Sequence, residues 1–215
     1  MKISKIKNRS TLYTFDNGTW DLNLHLIQAN KYNYVIDSGL GTQSVEPIIE
    51  TIKKDNKQII LINTHYHWDH IWGNDTFSDC IIISHQLCRE RIAEKWEEMI
   101  NKNASFIQGE AKCCLPSLTF KDELYFPEDK IRLIYTPGHT QDSISVIDEE
   151  EGVINVGDNI GDNMEELIPS LELESNQYIN TLLKYQTLDF DTCVSGHNTV
   201  LNKDVINTIL GILSK

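Results

Sequence analysis

Apolar positions along this chain follow two rhythms, and each predicts a kind of element. Between residues 20 and 28 they alternate, Leu22, Leu24 and Leu26 against Asn23 and His25, as in a strand with one face buried. His25 then faces solvent or a neighbouring strand. Residues 12–15 and 32–36 predict further strands, with Asp16-Asn17-Gly18 as a turn after the first. The rhythm changes past Asp37-Ser38-Gly39. Val45, Ile48, Ile49 and Ile52 recur at helical spacing, and Ser44 is placed to cap a helix over residues 45–54. Residues 58–62 are apolar almost without a break, the pattern of a strand buried on both faces.

Residues 80–84 predict another buried strand, and Cys88, Ile92, Trp96 and Met99 predict a helix over residues 85–101. No period is visible from 103 to 117, which reads as a long loop of the kind that often forms a lid. Strands follow at 118–121, 124–126 and 131–135, then a hairpin of 143–147 with 152–156. Residues 159–174 are irregular and acidic. Ser175 caps a predicted helix through 186, with Tyr178, Ile179, Leu182 and Leu183 inward. A strand at 192–194 precedes a last amphipathic helix carrying Val205, Ile206, Ile209, Leu210 and Leu213. The order is β-rich then α, twice over, so two sheets with helices outside would bury every apolar face. At 215 residues the chain fits one core, a single domain over 1–215.

Composition narrows the partners. Lys+Arg 19 against Asp+Glu 32 gives a net charge of -13, which argues against nucleic acid and against an anionic membrane surface. The basic start, Met1 to Lys7, is followed by no apolar signal core, and no stretch is long enough to span a bilayer. Five cysteines without zinc-knuckle spacing read as free thiols in a reducing cytoplasm. The Cys113-Cys114 pair leaves a redox or soft-metal role open.

The chemistry concentrates in Thr64-His65-Tyr66-His67-Trp68-Asp69-His70, directly after the apolar run at 58–62. Three imidazoles and a carboxylate in six residues point to a metal, since such groups are costly to bury without partners. A polar loop of solvated histidines is the competing reading. On extended backbone His65, His67 and Asp69 share a side and His70 points elsewhere. Asp37, His139, Asp158 and His197 each follow a predicted strand, where a scaffold can aim distant residues at one point. Imidazole and carboxylate donors suit zinc, iron or manganese.

Thr-His-x-His-x-Asp-His, then Thr136-Pro137-Gly138-His139-Thr140, Gly157-Asp158 and Gly196-His197, resembles the motif series of the metallo-β-lactamase superfamily. Val35-Ile36-Asp37-Ser38-Gly39 and Leu188-Asp189-Phe190-Asp191 extend the resemblance over nearly the whole chain. It implies an α+β fold, a four-layer αββα sandwich, with two divalent metal ions, zinc first and iron or manganese open. One ion would take His65, His67 and His139; the other Asp69, His70 and His197; Asp158 would bridge them. Asp37 would orient a ligand histidine, the competing reading being an ordinary turn residue.

Within the family, β-lactamases usually carry cysteine or serine where this chain has Asp158, so antibiotic hydrolysis is not the default. The ligand set is similar to that of glyoxalase II proteins, whose helical C-terminal region does not fit in full here. The resemblance implies a metallo-hydrolase whose metal-bound hydroxide cleaves a small ester, thioester, lactone or related acyl substrate, with Asp69 holding the nucleophile. A mononuclear-iron enzyme like the persulfide dioxygenases, or a low-turnover regulatory module, stands as the alternative. Trp20, Tyr66, Trp68 and Trp72 line an acyl pocket in this reading, or else pack the core beneath the metal loop.

Overall fold

Hydrogen bonding gathers the strands into two sheets in a computed structural model that describes residues 1–172 and 174–214. The first takes β1 (Lys2–Lys5), β2 (Ser10–Asp16), β3 (Asp21–Gln28), β4 (Tyr32–Ile36), β5 (Gln58–Ile62), β6 (Ile81–His85) and β7 (Leu118–Phe120) side by side in chain order. Its first four strands are antiparallel, and β4 to β7 run parallel. The second takes β8 (Glu123–Phe126), β9 (Ile131–Tyr135), β10 (Ile144–Asp148), β11 (Val153–Asn155), β12 (Thr192–Val194) and β13 (Leu201–Asn202), again in order. Only β11 and β12 are parallel there.

Two sheets and five helices give four layers. Ile27, Tyr34, Ile36, Ile60 and Ile62 meet Ile131, Leu133, Ile144 and Val146 between the sheets. Helix α1 (Thr42–Ile52) lays Val45, Ile48 and Ile52 on the outer face made by Leu22, Leu24 and Leu26. The one-turn α2 (Trp68–Ile71) is covered by Cys88, Ile92, Trp96 and Met99 of α3 (Gln86–Asn103). Helices α4 (Ser175–Thr187) and α5 (Asp204–Leu213) close the far side over Ile134, Ile147 and Ile154. No described helix is long and apolar enough to cross a membrane.

Several expectations change in detail. His25 lies between the sheets, wholly buried, because it shares its face of β3 with Ile27. Ser44 does not cap α1; the helix starts at Thr42 after Gly41, and the Ser44 hydroxyl accepts the Leu40 N–H at 3.1 Å. Ser175 is the first residue of α4 and not its cap, which is Glu174. Leu183 is exposed, since the inward face follows Tyr178, Thr181, Leu182 and Tyr185. Strands β1 and β13 and helix α2 were too short to leave a period.

Candidate metal centre

Every predicted ligand lies beyond the C-terminal end of a strand, and these ends share one edge of the sandwich. β5 leads to His65 and His67 and then into α2 with Asp69 and His70; β9, β11 and β12 lead to His139, Asp158 and His197. They gather as two groups, His65, His67, His139 and Asp158 beside Asp69, His70 and His197, with donor atoms in each within 4.8 Å of one another. The extended-backbone expectation for Asp69 is thereby corrected. The chain turns helical at Trp68, which swings Asp69 away from His65 and His67 and onto His197, 3.4 Å from its Nε2. Asp158 sits at the hub. Its Oδ2 is 3.5 Å and 3.7 Å from Nε2 of His65 and His139, and 3.3 Å and 3.2 Å from Nε2 of His70 and His197.

The partners of the rings decide which nitrogens face the hub. Asp37 accepts from Nδ1 of His70 at 2.9 Å, the Ser170 carbonyl from Nδ1 of His139 at 2.7 Å, and the Asp21 carbonyl from Nδ1 of His197 at 2.7 Å. The Thr64 hydroxyl gives its proton to Asp37, so Nδ1 of His65, 3.0 Å away, donates to that hydroxyl. Four rings therefore turn Nε2 inward. His67 adds Nδ1, which stands 3.1 Å from Nε2 of His65 and 3.0 Å from Nε2 of His139. One proton cannot satisfy three converging lone pairs, whereas a cation among them can. Nε2 of His70 and Oδ1 of Asp158 are buried without any hydrogen-bond partner. These donors fit divalent metal ions.

Electrostatics divide the rings in the same way. Burial, with the neighbouring imidazoles, drives His65 well below its ordinary pKa and His67 down to about 4. Burial also pulls on His70 and His197, but the carboxylates of Asp158 and Asp69 outweigh it and hold both well above the usual value. Burial would raise Asp69 and Asp158; His70 and His197 overcome it and hold both carboxylates well below the usual range.

Asp37 works through its neighbours. It has a left-handed backbone (φ 63°), accepts from the Thr64 N–H and hydroxyl at 2.7 Å each, and thus links His65 to His70. Other supports gave no sequence signal. Asn23 reads in the sequence only as a polar position of an alternating strand, yet its amide donates to the carbonyls of Ser195 and Asn198 and pins the His197 loop. Asn159 accepts the His139 N–H at 2.9 Å and donates to the Thr136 carbonyl. Gly196 is obligatory, since a Cβ there would lie 2.2 Å from Oδ1 of Asp158.

The four aromatic candidates separate. Trp20 stands edge-on to His197 at 5.4 Å and to Trp68 at 6.0 Å, and Tyr66 donates to Glu172 beside His67. Trp72 cannot line a pocket; it is fully buried under α3. Cys113 and Cys114 belong to neither donor group.

The model of the metallo-beta-lactamase superfamily matches residues 18–197. A probable metallo-hydrolase of Methanocaldococcus jannaschii is 26% identical over 171 residues, 79% of this chain and 68% of that protein. An N-acyl homoserine lactonase of Bacillus cereus is 31% identical over 100 residues, 46% of this chain and 36% of that one. The chain spans 68%, 52% and 58% of the first three curated relatives it matches. In structure it is similar to a metallo-beta-lactamase from Pontibacter korlensis, with a TM-score of 0.73 at 17% identity, covering 100% of this chain and 99% of that one. That likeness bears on the fold, and the fold is the four-layer αββα sandwich.

Proposed function

The chain belongs to the metallo-beta-lactamase superfamily, and from that premise we propose that it is a hydrolase of small acyl substrates (esters, thioesters or lactones) that holds two divalent metal ions, zinc foremost. One observation carries this reading: a single carboxylate oxygen, Oδ2 of Asp158, within 3.2 Å to 3.7 Å of four imidazole nitrogens drawn from both donor groups. His65, His67 and His139 would hold one ion and Asp69, His70 and His197 the other, with Asp158 shared. Ions held there would supply a water ionised near neutral pH and a Lewis acid for a carbonyl oxygen.

The chain's own groups supply orientation and proton handling. Asp69 keeps a small opening to the cleft, and its carboxylate would orient the attacking water by accepting a hydrogen bond from it. Asp37 and the carbonyls of Asp21 and Ser170 keep the rings in one tautomer throughout. Ile168 and Pro169 on one side, and Tyr66 and Trp68 on the other, wall the site with apolar surface and limit bulk water. The lactonase relative brings lactones into the substrate range. All five cysteines are free, which fits the reducing cytoplasm where we place the protein.

The test is elemental analysis joined to a panel of thioesters, lactones and esters. About two metal ions per chain and a saturable, chelator-sensitive rate are expected, with most of both lost in Asp158→Ala. About one iron per chain, or full turnover by Asp158→Ala, would overturn the reading.

A further inference from the structure

Four of the five rings at the centre have an outer acceptor within hydrogen-bond distance: the Thr64 hydroxyl, Asp37, and the carbonyls of Ser170 and Asp21. His67 has none among the described residues. Its ring is reversed, with Nδ1 set 3.1 Å and 3.0 Å from Nε2 of His65 and His139, so Nε2 and its proton point out of the hub. Oε1 of Glu172 stands 3.9 Å from that nitrogen, and no other described carboxylate is in ion-pair reach of it. We propose that Glu172 is a positioning residue of the metal centre: its carboxylate takes the outward proton of His67 and fixes the plane of that ring. This rests on the two-ion part of the hydrolase reading and is independent of the substrate.

Glu172 is held from two sides by the site itself. Its backbone N–H donates to the His139 carbonyl at 2.9 Å, and Ser170, two residues earlier, accepts from Nδ1 of the same histidine. Tyr66, the neighbour of His67, donates its hydroxyl to Oε1 at 2.5 Å. The strap 170–172 thus runs from one ligand to another, which a chance pairing of tyrosine and glutamate at the surface would not require. A carboxylate oxygen has two acceptor positions; Tyr66 fills one of them on Oε1 and leaves the other for His67. The remaining gap to a hydrogen bond is about 1 Å, a small turn of the carboxylate about its bond to Tyr66. His67 also needs such a partner most. Its side chain is 27% exposed, against 11% or less for the other four, so water would otherwise take its outward proton. A carboxylate there makes the ring a stronger donor to an ion.

Cobalt-substituted protein tests this by proton resonance, because the outward N–H of a bound imidazole is seen only when a protein group shields it from exchange. The His67 resonance is expected in the unaltered protein and lost in Glu172→Ala, with those of His70, His139 and His197 still in place. Chelator competition on the zinc form should show one ion held about tenfold or more weakly and the other unchanged. Glu172→Gln keeps an acceptor oxygen and should restore the resonance. Tyr66→Phe should weaken the same ion yet add nothing to Glu172→Ala, since the phenol acts through the carboxylate. A His67 resonance indifferent to Glu172→Ala or absent throughout, equal loss of both ions, or additive effects of the two substitutions overturns the proposal. The two readings fail separately. Two bound ions untouched by Glu172→Ala remove the role of Glu172 and leave the hydrolase; the expected shifts in a protein that turns over no thioester, lactone or ester do the reverse.

Discussion

Asp37 shows how much of the centre rests on residues that touch no metal. Its carboxylate accepts from Thr64 twice and from His70 once, three of its roughly four lone-pair sites. Asn tolerates the left-handed backbone found there, so Asp37→Asn tests chemistry without strain. It replaces one acceptor oxygen with a donor, and one of those partners must let go. Metal affinity is expected to fall about 10-fold to 100-fold, read by competition with a chromophoric chelator. Gly196→Ala should be harsher, because its Cβ would lie 2.2 Å from Asp158 Oδ1 and 2.7 Å from His70 Cε1. Metal content near zero with a native circular dichroism spectrum is the expected result. The donors themselves were readable in the sequence because histidine and aspartate at that density are rare. Asn23 and Asn159 were not, since their function lies in carbonyls 172 and 23 positions away.

At the scale of elements, the apolar runs were readable and the one-turn helix was not. β4, β5, β9 and β12 fall where the apolar runs put them. Helix α2 has four residues, too few for a period, and it decides the grouping of Asp69. Equally hidden was the tie between sheets made by Arg9, in the turn between β1 and β2. Its guanidinium grips Asp148 at the end of β10 through Nε and Nη2 and donates to the Asp129 carbonyl at 2.8 Å. Asp148 is wholly buried, so Arg9→Ala leaves a carboxylate without its partner. A loss of about 3–5 kcal/mol in urea unfolding is expected. The pair Arg9→Met with Asp148→Leu should recover most of it, which separates the stranded charge from lost packing.

For the whole molecule, the inter-sheet core sets an acid limit. Burial pulls His25 down to about 3, and neither ring nitrogen has a hydrogen-bond partner. In the unfolded chain this imidazole protonates near pH ~6.5, while in the fold it stays neutral until about 3. Between those values the unfolded state binds the extra proton, so stability falls as pH falls, by roughly 3 kcal/mol at pH ~4.5. Asp142 opposes this over part of the range, because burial raises it to about 6 and its proton uptake favours the fold. His25→Leu should flatten the decline when urea midpoints are compared across pH in chelated protein; an unchanged slope would refute the assignment.

The sheets are consecutive in the chain, the first complete by Phe120 and the second drawn from Glu123 onward. During synthesis the histidines at 65, 67 and 70 therefore leave the ribosome long before His139, Asp158 and His197 exist. An ion met at that stage finds imidazoles and Asp69 on a half-built protein, with no hub carboxylate to hold it. The complete donor set therefore exists only once residues of the second sheet have joined the motif at 65–70, so the proposed centre depends on both halves of the chain.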